Sequence, residues 1–241
     1  MTTVEFITEL FCHVDDAMAE VPKHRQAKLY PSELVTLGRR FALKGDGERA
    51  FYRWLSRDYR PLFPQLPHRT RLFRWLKIHR AWTDRFLAAP SLIGVADTYG
   101  IELGPPWREG RSANQLGAKG LSNHRWIVGA KVGVVVNHLG WVVGWDCNPA
   151  NVSDTEFRPL VAQFVDRMVV LTDSAFHGKW GDPSNMKVCR RGTWNPRMLL
   201  ETVWSMLTKV CHFKPACHLG ADYFRARMAC VFAAFNLLVQ W

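Results

Sequence analysis

Apolar residues recur at helical spacing up to Pro90 and at strand spacing through much of the chain beyond it, so the chain changes grammar once. Residues 3–20 set Ile7, Leu10, Phe11, Val14 and Met18 on one face and predict an amphipathic helix. A basic loop from Pro22 to Lys28 closes at Pro31. Ser32 then suits the cap of a second helix that carries Leu34, Val35, Leu37 and Phe41 and stops before Gly45. A third helix begins near Gly47 with Phe51, Trp54 and Leu55, and Pro61, Pro64 and Pro67 interrupt the period. A fourth, over residues 68–88, interleaves Leu72, Phe73, Leu76, Ile78, Trp82 and Phe86 with Arg69, Arg71, Arg74, Lys77 and Arg80. This all-helical stretch, residues 1–90, reads either as a DNA-binding module of helix-turn-helix kind or as a helical cap with a solvated basic face.

Beyond Pro90, Leu92 to Ala96 is a short apolar run that predicts a buried strand ending on Asp97. Residues 104–126 are rich in glycine and basic side chains and predict an exposed loop. Trp126–Val136 and Trp141–Trp145 flank Asn137-His138-Leu139-Gly140 as the arms of a hairpin. Ser153 and Glu156 have capping-box spacing ahead of a helix with Phe157, Leu160, Val161, Phe164 and Val165 on one face. Met168–Thr172 is another apolar strand and it too ends on an acid, Asp173. Met186–Cys189 predicts a last short strand. Two helices close the chain. In the first, Asn195 suits the cap and Pro196 the first turn, and in the second, residues 221–239 are amphipathic or largely buried. Strand, hairpin, helix, strand, strand, helix, helix predicts mixed α/β architecture around one sheet over residues 91–241.

Composition narrows the class. The chain has 241 residues, 48% of them hydrophobic, enough to bury a substantial core. Its net charge is +11 and its pI about 9.7, which favours a polyanionic partner. The excess is +6 in residues 1–90 and +5 in residues 91–241, so it is not confined to a tail. No apolar run is long enough to span a bilayer, and Met1-Thr2-Thr3-Val4-Glu5 lacks the opening of a signal peptide. Six scattered cysteines fit a reduced, cytosolic protein. Cys211-His212 and Cys217-His218 suggest a zinc site, but the cysteines are five residues apart, outside the usual structural spacing, and a loop with partly buried thiols is the simpler reading. There is no Walker loop and no dinucleotide-binding glycine motif.

Candidate chemistry rests on three acids. Asp97 and Asp173 each end an apolar strand, where α/β sites assemble. Glu201 rides the helix from Arg197 to Lys209, beside the apolar face made by Leu199, Leu200, Val203, Trp204 and Leu207. Carboxylates suit hard cations, and two such ions can serve phosphodiester chemistry. The plainer reading makes Arg197 and Glu201 a surface pair at four-residue spacing and makes the aspartates turn residues. Arg190 and Arg191 read as phosphate contacts, Trp126 and Trp194 as platforms on which a base could stack, and His177 as a structural or solvated histidine or a contact to phosphate.

Four segments resemble the bacterial insertion-sequence DDE transposases: Gly94 to Ile101; Arg108 to Lys131 with the hairpin and Asn148 to Asp154; Leu171 to Lys179; and the helix around Glu201. Together they span about residues 92–210. The resemblance implies an RNase H-like mixed sheet with flanking helices as the catalytic domain, in which Asp97, Asp173 and Glu201 are catalytic and hold two Mg²⁺ or Mn²⁺ ions. It implies nicking at the ends of a mobile element, then attack of a 3′-hydroxyl on target DNA. The implied partners are double-stranded DNA, namely terminal inverted repeats and target, and a second copy of the chain in the DNA complex. The implied setting is the bacterial cytoplasm, at the nucleoid, with no membrane. Arg111, Lys119, Arg125, Lys131, Arg190, Arg191, Trp194, Arg197 and Lys209 become DNA contacts. The family's Tyr-x2-Arg-x3-Glu-x6-Lys pattern is met by Arg197 and Glu201, with Trp194 in place of Tyr. Thr208 stands at the Lys position, and Lys209 falls about 80° around the helix from Glu201. Ala175 replaces the common glycine two positions after the second acid. A stand-alone RNase H-like nuclease and a non-catalytic, domesticated DNA-binding protein use the same residues and stay open.

Overall fold

The computed structural model describes the chain except Pro106, Arg108, residues 111–115, 123–124, Trp180, 190–196 and 215–219, and the side chains of Ser122, Arg125 and Arg197. The protein is mixed α/β. Five helices precede the first strand: α1 (Thr3–Ala17), α2 (Pro31–Lys44), α3 (Glu48–Asp58), α4 (Arg69–Ile78) and α5 (Ala81–Asp84). They are followed by β1 (Ile93–Gly104), β2 (Ala118–Ser122), β3 (Arg125–Asn137), β4 (Val142–Pro149), α6 (Arg158–Ala162), β5 (Val169–Thr172), β6 (Met186–Val188), α7 (Arg197–Lys209) and α8 (Ala221–Gln240). No helix among the described residues is long and apolar enough to cross a membrane.

The strands run in the order β2-β3-β1-β5-β6, with β4 also on β3. The long strand β3 explains this. One edge of it pairs with β1, and the other is shared end to end, β2 taking residues 125–129 and β4 residues 130–136. Those ladders are antiparallel, whereas β1, β5 and β6 run parallel, so the sheet is mixed. Side chains alternate across it. Val95, Ile101, Val132, Val134 and Val136 pack on Leu200, Val203, Trp204 and Leu207 of α7 and on Phe224, Phe232 and Phe235 of α8. Ala96, Val135 and Val143 pack on the other side against Phe157, Leu160, Val161 and Phe164.

Helix α8 is buried from Phe224 almost without interruption to Leu237 because it is covered on two sides. The sheet lies on one and α2, α4 and α5 on the other. Gly38 of α2 admits a close approach, since a Cβ there would stand 2.7 Å from Cys230 Sγ. A second aromatic core joins α2, α3 and α4 through Phe41, Phe51 and Phe73.

Several expectations are corrected. Ser32 is not a cap. It is buried inside α2, which starts at Pro31, and Glu33 closes the start by accepting from the Tyr30 amide at 2.6 Å. The stretch 68–88 is two helices, because the amides of Trp82 and Thr83 bond the carbonyls of His79 and Arg80 three residues back, which tightens and turns the chain. The apolar period survives that break, so periodicity alone cannot reveal it. Residues 118–122 form β2 rather than loop. Pairing with β3 brings Gly120 so close to Ala150 that a Cβ would meet its carbonyl oxygen at 2.1 Å. At the Ser153 turn the serine hydroxyl accepts from Thr155, and a short 3-10 segment, Asp154–Phe157, precedes α6. The cap proposed at Asn195 and Pro196 lies outside the described residues.

Candidate active site

Asp97 is not at the end of its strand. It lies inside β1, opposite Val134 of β3. Only the other edge of β1 ends near it, since the parallel ladder to β5 stops at Val95–Leu171. Val95 packs in the α7/α8 core with Leu171 against it, so the strand alternation turns Asp97 to that same side. Asp173 follows the last residue of β5, two residues beyond the Val95–Leu171 pair at which the ladder to β1 stops. Asp173 keeps extended backbone there and caps the 3-10 turn Ser174–Phe176, its Oδ1 accepting from Ala175 at 3.0 Å.

Helix α7 crosses this side of the sheet. Its apolar stripe is buried while Glu201 stays exposed. Asp97 and Glu201 open into one cleft of about 450 Å³, lined also by Tyr99, Trp204, Thr208, Lys209 and Lys214. The Trp204 ring packs on Tyr99 and Phe213 at centroid distances of 5.1 and 5.3 Å, and its Nε1–H donates to Asp97 Oδ2 at 3.3 Å. Lys214 Nζ stands 5.3 Å from the Tyr99 ring centre. Two lysines and two carboxylates share this opening, and carboxylates are the donors that hard divalent cations take. Among the described residues, no group of three His, Cys, Asp or Glu side chains stands placed to hold a metal. Asp97 and Glu201 share the cleft, and Asp173 is not among the described residues that line it.

The DNA contacts expected from sequence separate into groups. Lys209 enters the cleft with Asp97 and Glu201 despite its offset on the helix, and Thr208 lies beside it. Lys131 points to the opposite face of the sheet. Its Nζ bonds Asp154 Oδ1 and the Val152 carbonyl, each at 2.8 Å, and Thr98 donates to the same Asp154 oxygen. Lys119 is exposed on β2, 5.4 Å from the ring centre of Trp126, which is itself 64% exposed. Those two form a basic aromatic patch at the sheet edge. Arg111, Arg190, Arg191 and Trp194, and the side chains of Arg125 and Arg197, lie outside the described residues.

Sequence reasoning missed Lys214 and the polar role of Trp204. Lys214 has no periodic signal, since it lies beyond the end of α7. Trp204 reads as one more apolar position, and only its packing against β1 reveals the N–H toward Asp97. His177 bonds Asp182 at 2.6 Å, and the Asp182 carboxylate also accepts from the Gly178 amide. The His177 hydrogen bond holds that carboxyl below its ordinary range. Arg158 fastens the same loop by donating to the Gly181 carbonyl at 2.7 Å. The Cys211 thiol is buried and pushed up to about 12 by desolvation, as befits a core group. The His212 ring packs on Gly45, and Cys217 and His218 lie outside the described residues.

No protein-family model matches the chain, and no curated protein sequence matches it significantly.

Proposed function

We propose that the chain is an insertion-sequence DNA transposase of the DDE type with an RNase H-like catalytic fold. It cuts phosphodiesters at the element's terminal repeats and joins the ends to target DNA, acting as a homodimer on the DNA. The observation that carries this reading is the cleft lined together by Asp97 of β1, Glu201 of α7, Lys209 and Lys214. The parallel pairing of β1, which carries Asp97, with β5, which Asp173 follows in sequence, and the net charge of +11 support it. Asp97, Asp173 and Glu201 are the residues that would hold Mg²⁺ or Mn²⁺. Such ions, when bound, activate the attacking oxygen and stabilise the leaving one. The chain's own contribution is positioning. Lys209 and Lys214 draw the backbone phosphate into the cleft, and the Trp204 N–H fixes the Asp97 carboxylate.

The test is Mg²⁺-dependent cleavage and strand joining of labelled element-end duplexes. Asp97→Asn and Glu201→Gln are expected to lower the rate on the order of a hundredfold or more, as befits loss of several kcal/mol of charge stabilisation. Full activity in Glu201→Ala would sink the assignment. A non-catalytic DNA-binding protein is the second reading, favoured by Thr208 lining the cleft where the family carries Lys. It predicts salt-dependent binding without cleavage, unchanged in Asp97→Asn.

A further inference from the structure

A second concave, basic site lies in the helical region before the sheet. A pocket of about 440 Å³ is lined by Lys28, Pro67, His68, Thr70, Arg71 and Arg74, with no carboxylate among them. Its walls are held in place. Leu29 is 4% exposed in the α2–α4 core and so anchors the loop that presents Lys28. The Tyr52 hydroxyl donates to the Pro67 carbonyl at 3.0 Å and fixes the turn into α4. Leu72, Phe73 and Leu76 are buried in the same core, which turns Arg71 and Arg74, three residues apart, outward together. His68 Nδ1 and Thr70 Oγ1 stand 3.1 Å apart at the rim. Three cations, a hydroxyl and an imidazole around one hollow leave their mutual repulsion unbalanced by any acid of the lining. An anion rich in acceptor oxygens relieves that repulsion and takes the donors at once.

We infer that this pocket binds one backbone phosphate of duplex DNA, giving the helical region a phosphate anchor separate from the Asp97 cleft. The inference rests on the proposed DNA function for the source of the phosphate, but not on catalysis. A phosphate contact orients a protein on DNA without reading sequence, so the anchor serves all sequences alike.

The experiment measures affinity of the full chain for labelled duplexes over a range of salt, without divalent ions. Arg71→Gln/Arg74→Gln is compared with a charge-matched control, Arg167→Gln/Lys187→Gln. All four side chains are exposed, so folding is preserved. The expected result is a slope of log K against log salt shallower by about 1 in the pocket variant alone, equally for every duplex sequence. An unchanged slope, or an equal fall in the control, overturns the inference. Titration with inorganic phosphate supplies the second arm. If the pocket variant loses phosphate binding while its DNA slope stays intact, the site takes small anions and the DNA assignment is overturned. Absence of cleavage in the wild type would defeat the transposase reading and leave this result untouched.

Discussion

The indole N–H of Trp204 donates to Asp97 Oδ2 at 3.3 Å, linking α7 to β1 across the cleft. The same ring clusters with Tyr99 and Phe213, which also pack on each other. Trp204→Phe keeps an aromatic ring there and removes the donor. It is expected to cost about 1 kcal/mol of stability by urea unfolding. On the proposed function, cleavage is expected to fall roughly ten- to a hundredfold at unchanged DNA affinity, because the Asp97 carboxylate loses a donor that orients it. A parallel loss of affinity and rate would show that the residue only holds the fold.

Lys131 and Asp154 form an ion pair on the far face of the sheet, with side chains 16% and 20% exposed. Lys131→Met strands the Asp154 carboxylate beside Thr98 and is expected to cost about 2 kcal/mol. A double-mutant cycle with Asp154→Asn should return a coupling of about 1 kcal/mol. Because the ammonium is engaged inside the protein, Lys131→Met should leave the salt dependence of DNA binding unchanged. A slope shallower by about 1 would instead make Lys131 a DNA contact.

Gly45 ends α2 at φ 70°, and a Cβ there would stand 2.3 Å from His212 Cγ. Gly45→Ala combines a left-handed backbone with a displaced ring and should cost at least about 2 kcal/mol in the urea midpoint. His212→Ala in the same background should recover part of the loss by opening the space. No recovery would assign the whole cost to the backbone.

Asp182 makes stability depend on acid. Its hydrogen bond from His177, aided by the Gly178 amide, lowers the carboxyl below the ordinary 3.8, so the folded state releases the proton more readily than the unfolded chain. The resulting stabilisation is present above 3.8 and is lost as pH falls through the lowered folded value. Asp182→Asn should therefore be less stable than wild type near neutrality, and the difference should close below about pH 4. Parallel stability curves down to about pH 2 would show that the pair contributes nothing through titration.

Local patterning carried much of the architecture. The apolar residues of α1 to α4, the hairpin around Asn137 to Gly140, the run that becomes β5 and the largely buried α8 announce themselves by spacing, since a half-buried element must repeat its apolar side at its own period. The basic charge, likewise, needs no structure. What spacing could not carry is what depends on a partner strand or helix. Asp97 reads as a strand end because polar residues come after it, yet pairing with β3 continues β1 to Gly104, and only the edge toward β5 ends near Asp97. Residues 118–122 look like loop because Gly120 serves close backbone approach to Ala150 rather than a turn. Glu201 lies 104 residues from Asp97 in sequence, and packing of α7 on β1 puts both in one cleft with Lys214. Tertiary structure likewise tied Lys131 to Asp154 and left Arg71 and Arg74 around an acid-free hollow. Sequence determines which face each element must bury, and only the packing of those faces decides which polar groups are left together.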